Sequence, residues 1–141
     1  PGPNPTIEIE TIAYDDANGE IVAKIKANED TKMIKYFGVN SSDANLYSAC
    51  ALNDLITTSR RTYDEYLLLW ESQLIQLGLD SNAESVTAGI STPKNSDKPV
   101  LVAALAIGEE NGEDVYSPIA CKIYYKGEFK DLADFRTPPT E

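Results

Sequence analysis

The sequence predicts an antiparallel β-sandwich with one inserted helical segment, and three observations lead to this prediction. Short segments of strand-like alternation recur between turn signals, without the strand–helix–strand alternation that is typical of parallel sheets. Residues 62–78 instead have the period of an amphipathic helix. Residues 31–39 and 100–107 are apolar on both strand faces, so the sheet that contains them must be covered on both sides.

The chain begins with a predicted linker and two predicted strands. Residues 1–5 contain three prolines and are expected to form a stiff, extended linker. Residues 6–14 alternate and then shift parity, which is the pattern of an edge strand with a bulge. An Asn-Gly turn at 18–19 follows, and residues 20–27 are predicted to form a strand with one dry face.

Residues 62–77 are the most strongly specified element of the chain. Thr62 and Glu65 have the spacing of a capping box, which satisfies two backbone donors at the start of a helix. Gly78 is expected to end the helix in the left-handed conformation. A single stripe about 100° wide, at 3.6 residues per turn, contains Tyr63, Tyr66, Leu67, Trp70, Leu74 and Leu77.

The main apolar stripe of this helix is predicted to pack on the sheet with two dry faces. The segment available to cover that sheet is the helical insertion, at about residues 43–77. We expect the stripe around Trp70 to lie on the face presented by Ile34, Tyr36 and residues 100–107.

A second, narrower apolar stripe lies nearly opposite the first one. It is formed by Leu68 and Ile75. Either residues 43–59 cover this stripe or it is a contact surface of the protein, and the sequence leaves both alternatives open.

The C-terminal half supplies the remaining strands. Residues 86–90 alternate, and residues 100–107 form an unbroken apolar run that suits the centre of a sheet. Residues 115–125 alternate again after an acidic turn. In this last strand Cys121 is predicted to face inward and Tyr124 outward.

The composition disfavours several kinds of function. The chain has 23 acidic and 12 basic residues, a net charge of −11, which repels phosphate backbones and anionic membrane surfaces. It contains no histidine, which removes Ser-His-Asp and Cys-His catalysis and the commonest zinc ligand. No apolar run reaches the roughly 18 residues of a membrane span. We therefore expect no nucleic-acid partner and no membrane insertion of this segment, and we interpret the start at Pro1 as that of a processed chain.

The candidate chemical sites have simpler structural explanations. Acidic turns at 15–20 and 109–114 carry possible calcium ligands, but neither matches the EF-hand spacing, so we expect solvated turns and no metal. Trp70 lies at the middle of the helical stripe and is expected in the core rather than in a sugar-binding platform. Asp64 and Glu65 diverge by about 100° on a helix, which suits capping better than glycosidase catalysis.

The two cysteines are predicted to be free, buried thiols. Strand parity turns Cys121 toward the sandwich interior, whereas Cys50 lies on the segment placed outside the sheet. A disulfide between them is the alternative, which secretion would permit.

A family resemblance follows from the C-terminal strands. Residues 99–106, followed by Gly112 and residues 116–118, resemble the last two strands of a fibronectin type III domain, which is an immunoglobulin-like β-sandwich. The shared pattern is an alternating strand that ends in alanine, an acidic turn with glycine, and then Ser-Pro. The order of the first three predicted strands is similar to that of the family, and the chain also resembles the variant of this fold in surface lipoproteins of gut anaerobic bacteria, where a helical segment sits at the same point.

The resemblance implies a domain organisation and a location. It implies a sandwich over residues 6–126 with a helical insertion at 41–80, and a C-terminal extension or linker at 127–141. In that topology the third strand and the last two strands are neighbours in one sheet. The resemblance further implies a bacterial protein that is secreted, periplasmic or anchored to the cell surface.

These observations favour a non-catalytic accessory, adhesion or interaction module with a protein or glycan partner and without a cofactor. A carbohydrate-binding module is the first alternative, and it requires an exposed aromatic pair. A small carboxylate-dependent hydrolase is the second, and it requires two acidic side chains that share a cleft and have shifted pKa values. The candidate contact residues are Leu68, Ile75, Tyr116 and Tyr124.

Overall fold

The structure is a computed structural model, and it describes residues 3–40, 52, 55 and 61–134. These residues form two antiparallel sheets and one long helix, which confirms the predicted mainly β architecture with a helical insertion. The elements are β1 (Ile7–Asp15), β2 (Glu20–Ala27), β3 (Met33–Val39), α1 (Tyr63–Leu77), β4 (Leu79–Ser81), β5 (Ser85–Ser91), β6 (Val100–Glu110), β7 (Glu113–Tyr116), β8 (Ala120–Tyr125), β9 (Glu128–Lys130) and a 3₁₀ turn at Leu132–Asp134.

The two sheets differ in size. The small sheet has the strand order β1-β2-β5, and the large sheet has the order β4-β3-β6-β8-β9, with β7 paired to the far end of β6. The register of β1 against β2 shifts between Ile9 and Thr11, so the predicted bulged edge strand is confirmed. Strand β6 lies between β3 and β8, at the centre of the large sheet, as its apolar run predicts.

The residues of β6 sort by size between the two faces of the large sheet. The side chains toward the small sheet are Val100, Val102, Ala104 and Ala106, and those toward the helix are Leu101, Ala103, Leu105 and Ile107. Small side chains suit two sheets that pack about 10 Å apart. The larger leucine and isoleucine side chains fill the space under the helix.

Helix α1 lies on the outer face of the large sheet and is part of the core. It begins with the predicted capping box, in which the Glu65 N–H donates to the Thr62 hydroxyl (3.2 Å) and the Thr62 N–H donates to the Glu65 carboxylate (2.8 Å). Tyr66, Trp70 and Leu74 have no solvent exposure. They belong to a group that we call the outer cluster: Phe37, Val39, Leu52, Leu55, Tyr66, Trp70, Leu74, Leu101, Ala103, Leu105, Ile107, Ile123 and Leu132.

The end of α1 differs from the prediction in two details. Gly78 is extended (φ −66°, ψ 153°) rather than left-handed, because the chain passes directly into β4. A side chain is excluded there for lack of space, since a Cβ on Gly78 would lie 2.6 Å from the Leu74 carbonyl oxygen. Leu77, predicted as part of the main stripe, is 51% exposed at the end of the helix.

The predicted sheet face under the helix is wrong. Ile34 is fully buried between the two sheets and Tyr36 packs beside it, whereas Phe37 and Val39 face α1. Both faces of β3 are apolar, so the alternation of β3 alone does not distinguish the layer that each face meets. The size difference between the two faces of β6 decides it, because only the face with the larger side chains can fill the space under a helix.

Strand β8 is also turned the other way from the prediction. Cys121 and Ile123 pack on the outer cluster, and Tyr124, predicted to face outward, is 1% exposed between the sheets. The Tyr124 ring stacks on Tyr14, with ring centres 5.7 Å apart and planes 7° apart. Its hydroxyl donates to the backbone carbonyl of Lys94, so the ring is buried without an unpaired polar group. The same burial raises the pKa of Tyr124.

Candidate functional site

The four predicted contact residues are not brought together by the fold. Leu68 is 66% exposed on α1, whereas Ile75 is half-buried against the outer cluster. Tyr116 ends β7 with 41% of its side chain exposed, and Tyr124 is removed from the surface by its burial between the sheets. The proposed cover for the Leu68 stripe, residues 43–59, lies largely outside the described residues.

Among the described residues, strand β5 forms an edge of the small sheet, and its outward backbone groups pair with no further strand. The Ala27 N–H donates to the Glu84 carbonyl (3.0 Å), and the Thr92 N–H donates to the Gly19 carbonyl (3.1 Å), both toward β2. Antiparallel strands bond through alternate residues, so the residues of β5 with odd numbers direct their N–H and C=O groups away from β2. These residues are Ser85, Thr87, Gly89 and Ser91, and all are exposed.

The large sheet projects beyond β5, and no other described element covers the projecting part of its inner face. Leu79 of β4 pairs with Tyr36 of β3, so both side chains point to the face that is turned toward the small sheet. The small sheet ends at β5, which is why Leu79 remains 60% exposed. A cavity of about 420 Å³, which we call the β5 groove, lies in this gap. Its lining residues are Tyr36, Gly38, Asn40, Leu79 and residues 87–91.

One end of the β5 groove is closed by a side chain. The Asn40 amide nitrogen donates to the Ser91 carbonyl at 3.0 Å. Within the described ranges, the outward N–H and C=O groups of Thr87 and Gly89 have no such partner. As far as the described residues extend, the middle of the β5 edge therefore has backbone groups that can form further hydrogen bonds.

Strand β5 lacks the protection that the other sheet edges carry. The β1 edge has a bulge and carries Glu8 and Glu10. The β4 and β9 edges are three residues long, and both include charged side chains. Strand β5 spans seven residues without a charge, a proline or a register shift. A regular, uncharged, exposed edge of this kind is a template for pairing with another chain.

A carboxylate lies over one end of the β5 edge. A Cβ built on Gly89 would come within 2.8 Å of a carboxylate oxygen of Glu20, so the Glu20 side chain lies over Gly89. Glu20 has no ion-pair partner in the described part of the chain. In contrast, Asp80 on β4 is neutralised by Lys35 at 2.6 Å. On the outer face of the small sheet, the Gly89 end of β5 therefore lies beside a carboxylate, whereas Lys24 and Lys26 lie opposite Thr87 and Ser85.

Several carboxylates of the two acidic turns have partners within the fold. Asp15 accepts from the side-chain amide of Asn18 (2.8 Å), which lowers the pKa of Asp15. Lys32 donates to Asp114 (2.8 Å) and to Glu109 (2.9 Å), and these contacts raise the pKa of Lys32. Among the described residues, no group of three His, Cys, Asp or Glu side chains is arranged to hold a metal ion.

Among the described residues, the other residues that the sequence offered as site candidates have structural roles. Trp70 and Tyr66 are fully buried in the outer cluster, which confirms their predicted role in the core and leaves neither ring free to stack on a sugar. Glu65 caps α1, as predicted. Cys121 is a free thiol, and burial raises its pKa to about 12, so it is a weak nucleophile at neutral pH. Cys50 lies outside the described residues.

The β5 groove is the site that the sequence did not predict. Residues 86–90 alternate, and a strand there is confirmed, but alternation does not reveal that the strand is an edge. The available signal was the uncharged composition of residues 85–91 in a chain of high charge.

Comparison of the chain with protein-family models, with curated proteins and with solved structures finds no match. Over the residues described, the chain has no helix of the length and apolarity that crossing a membrane requires.

Proposed function

We propose that this chain is a non-catalytic interaction module, which binds a segment of another polypeptide in the β5 groove. One observation carries the proposal: an uncharged, regular strand edge lies beside an apolar sheet face that no other element of the described structure covers. Leu79 is 60% exposed on that face, next to open backbone groups at Thr87 and Gly89. Backbone groups and an apolar surface together suit a polypeptide better than a sugar, because a sugar site is built on an exposed aromatic pair.

We also infer that the sandwich is of the fibronectin type III kind. The strand order supports this inference, because β3 is the neighbour of β6 and β6 is the neighbour of β8, while β1, β2 and β5 form the opposite sheet. The helix enters the chain between β3 and β4, where the resemblance places the insertion. An accessory or adhesion role in a secreted or cell-surface protein follows from that resemblance and is part of the proposal.

The proposed function is tested with a phage-displayed library of random dodecapeptides, selected against the immobilised protein. We expect the wild-type chain to enrich peptides that carry apolar residues. Leu79→Glu should retain about one tenth or less of the bound phage, because a charge is placed on the apolar wall of the groove. Leu77→Glu is the matched control, since Leu77 is similarly exposed but does not line the groove.

The two variants separate a specific groove from general stickiness. Binding that is lost in Leu79→Glu and kept in Leu77→Glu supports the proposal. A library that yields no enriched sequence, or enrichment that Leu79→Glu leaves unchanged, contradicts it. Thermal unfolding of both variants checks that each one is folded.

A further inference from the structure

We propose that the occupant of the β5 groove is an extended segment of another polypeptide that adds to β5 as a fourth strand of the small sheet. Its side chains would alternate, with apolar residues toward Leu79 and a cationic residue beside Gly89. This inference rests on the proposed function and specifies the mode of binding and the chemistry of the partner.

The backbone geometry supports strand addition. Thr87 and Gly89 each direct one N–H and one C=O group away from β2. Because they are two residues apart on one strand, an added strand can make a pair of hydrogen bonds with each of them in the ordinary antiparallel pattern. Asn40 already occupies the Ser91 carbonyl, so the added strand would end before that position.

The orientation of the sheet faces explains why every second residue of the added strand would be apolar. Val86, Ala88 and Ile90 direct their side chains between the sheets. In an added strand, the residues whose side chains share that direction would lie over Tyr36 and Leu79, on the uncovered inner face of the large sheet. The large sheet extends to β4, whereas the small sheet stops at β5, so one more strand would complete the sandwich at this edge.

The Glu20 carboxylate and the net charge of the chain support a cationic residue beside Gly89, and the net charge argues against a second copy of this chain. The added residue beside Gly89 would point to the outer face, where the Glu20 carboxylate has no ion-pair partner among the described residues. A lysine or arginine there would be attracted, and the net charge of −11 would steer a cationic segment toward the protein. Two copies joined through β5 would instead bring two chains of charge −11 together.

The experiment measures binding of a defined peptide to the folded chain by fluorescence anisotropy. The probe is the labelled peptide Lys-Val-Thr-Val-Lys-Val-Thr-Val, and its counterpart has glutamate in place of lysine. Thr87→Pro removes an outward N–H group without removing a hydrogen bond to β2, and Thr87→Ala is the matched control that keeps this N–H group. We expect the lysine peptide to bind the wild-type and Thr87→Ala proteins alike, and to bind Thr87→Pro about tenfold or more weakly.

A second measurement keeps the protein wild type, in case Thr87→Pro does not fold. Methylating the backbone nitrogens of one alternate set of peptide residues blocks the bonds to β5, whereas methylating the other set does not. We expect one methylated peptide to lose about tenfold in affinity and the other one to bind nearly as the parent does.

Each outcome bears on a definite part of the inference. Strand addition is overturned if Thr87→Pro binds the lysine peptide as tightly as the wild type does, or if both methylation sets change the affinity equally. If Leu79→Glu still abolishes binding in that case, the proposed function stands. Equal binding of the glutamate peptide overturns the cationic preference. If the wild-type chain sediments as a dimer and the Thr87→Pro variant sediments as a monomer, the β5 edge binds a second copy of this chain, and the inference is overturned.

Discussion

Replacing Trp70 with alanine is expected to lower the free energy of unfolding by about 3–5 kcal/mol. Trp70 has no solvent exposure, lies at the middle of α1 and packs in the outer cluster with residues of β3 and β6. Removing the indole leaves a cavity between the helix and the large sheet, which the rigid strands cannot close. The loss is a large share of the roughly 5–15 kcal/mol that stabilises a domain. Chemical denaturation at equilibrium measures it.

Leu68→Ala is the control for this result, because Leu68 lies on the same helix and is 66% exposed. We expect that change to alter the free energy of unfolding by less than about 0.5 kcal/mol. Equal small effects of Trp70→Ala and Leu68→Ala would contradict the view that the inserted helix is part of the core. The helix would then be an appendage that the sandwich does not need.

Replacing Gly38 with alanine is expected to destabilise the fold by about 1–3 kcal/mol. A Cβ on Gly38 would lie 2.1 Å from Cγ1 and 2.5 Å from Cδ1 of Ile90, so the isoleucine occupies the space that a side chain would need. Ile90 is buried between the two sheets and cannot turn away without leaving a void. Gly38 therefore allows β5 to approach β3 closely, at one wall of the β5 groove.

Gly89→Ala is the matched control, since Gly89 is also a strand glycine with a close neighbour. The atom that a Cβ would meet there belongs to the flexible Glu20 side chain, which can swing into solvent. We expect the unfolding midpoint of Gly89→Ala to stay close to that of the wild type, because the substitution also reduces the freedom of the unfolded chain. A Gly38→Ala variant as stable as Gly89→Ala would show that the sheets are not in the close contact described.

The sequence predicts elements well where local rules act within one segment. The start of α1 follows from the spacing of Thr62 and Glu65, because a capping box involves only neighbouring backbone groups. The dry face of β2 follows from period-two alternation, since every second residue of that strand is buried. Both predictions depend on a few adjacent residues, and both are confirmed.

The wrong predictions concern the layer of the structure against which each strand face packs. Ile34 and Phe37 both lie on apolar faces of β3, and nothing within β3 indicates which one lies under the helix. The alternation of β8 predicts Tyr124 on the outer face, but the ring is buried by contacts from distant segments, namely the stacking partner Tyr14 and the carbonyl of Lys94. Such contacts depend on tertiary structure, which periodicity does not contain.

The β5 groove could not be predicted from the sequence for the same reason, because it depends on tertiary structure. An edge is a property of the strand order, and the strand order joins residues that are far apart in the chain, such as β2 and β5. Leu79 is exposed because the large sheet is wider than the small one, not because of its sequence neighbours. The sequence could indicate only that residues 85–91 carry no charge. The lack of charge points to pairing with another chain only when these residues are known to form a sheet edge.

Amide hydrogen exchange at single-residue resolution, with and without the lysine peptide, tests the open β5 edge most directly. In the free protein, we expect the amides of Thr87 and Gly89 to exchange rapidly, and those of Ala88 and Ile90 to exchange slowly, because only the latter pair donates to β2. Saturation with the peptide should slow exchange at Thr87 and Gly89 by about tenfold or more. If these two amides already exchange slowly in the free chain, β5 is not an open edge. If they still exchange rapidly in the saturated complex, β5 does not accept the peptide as a strand.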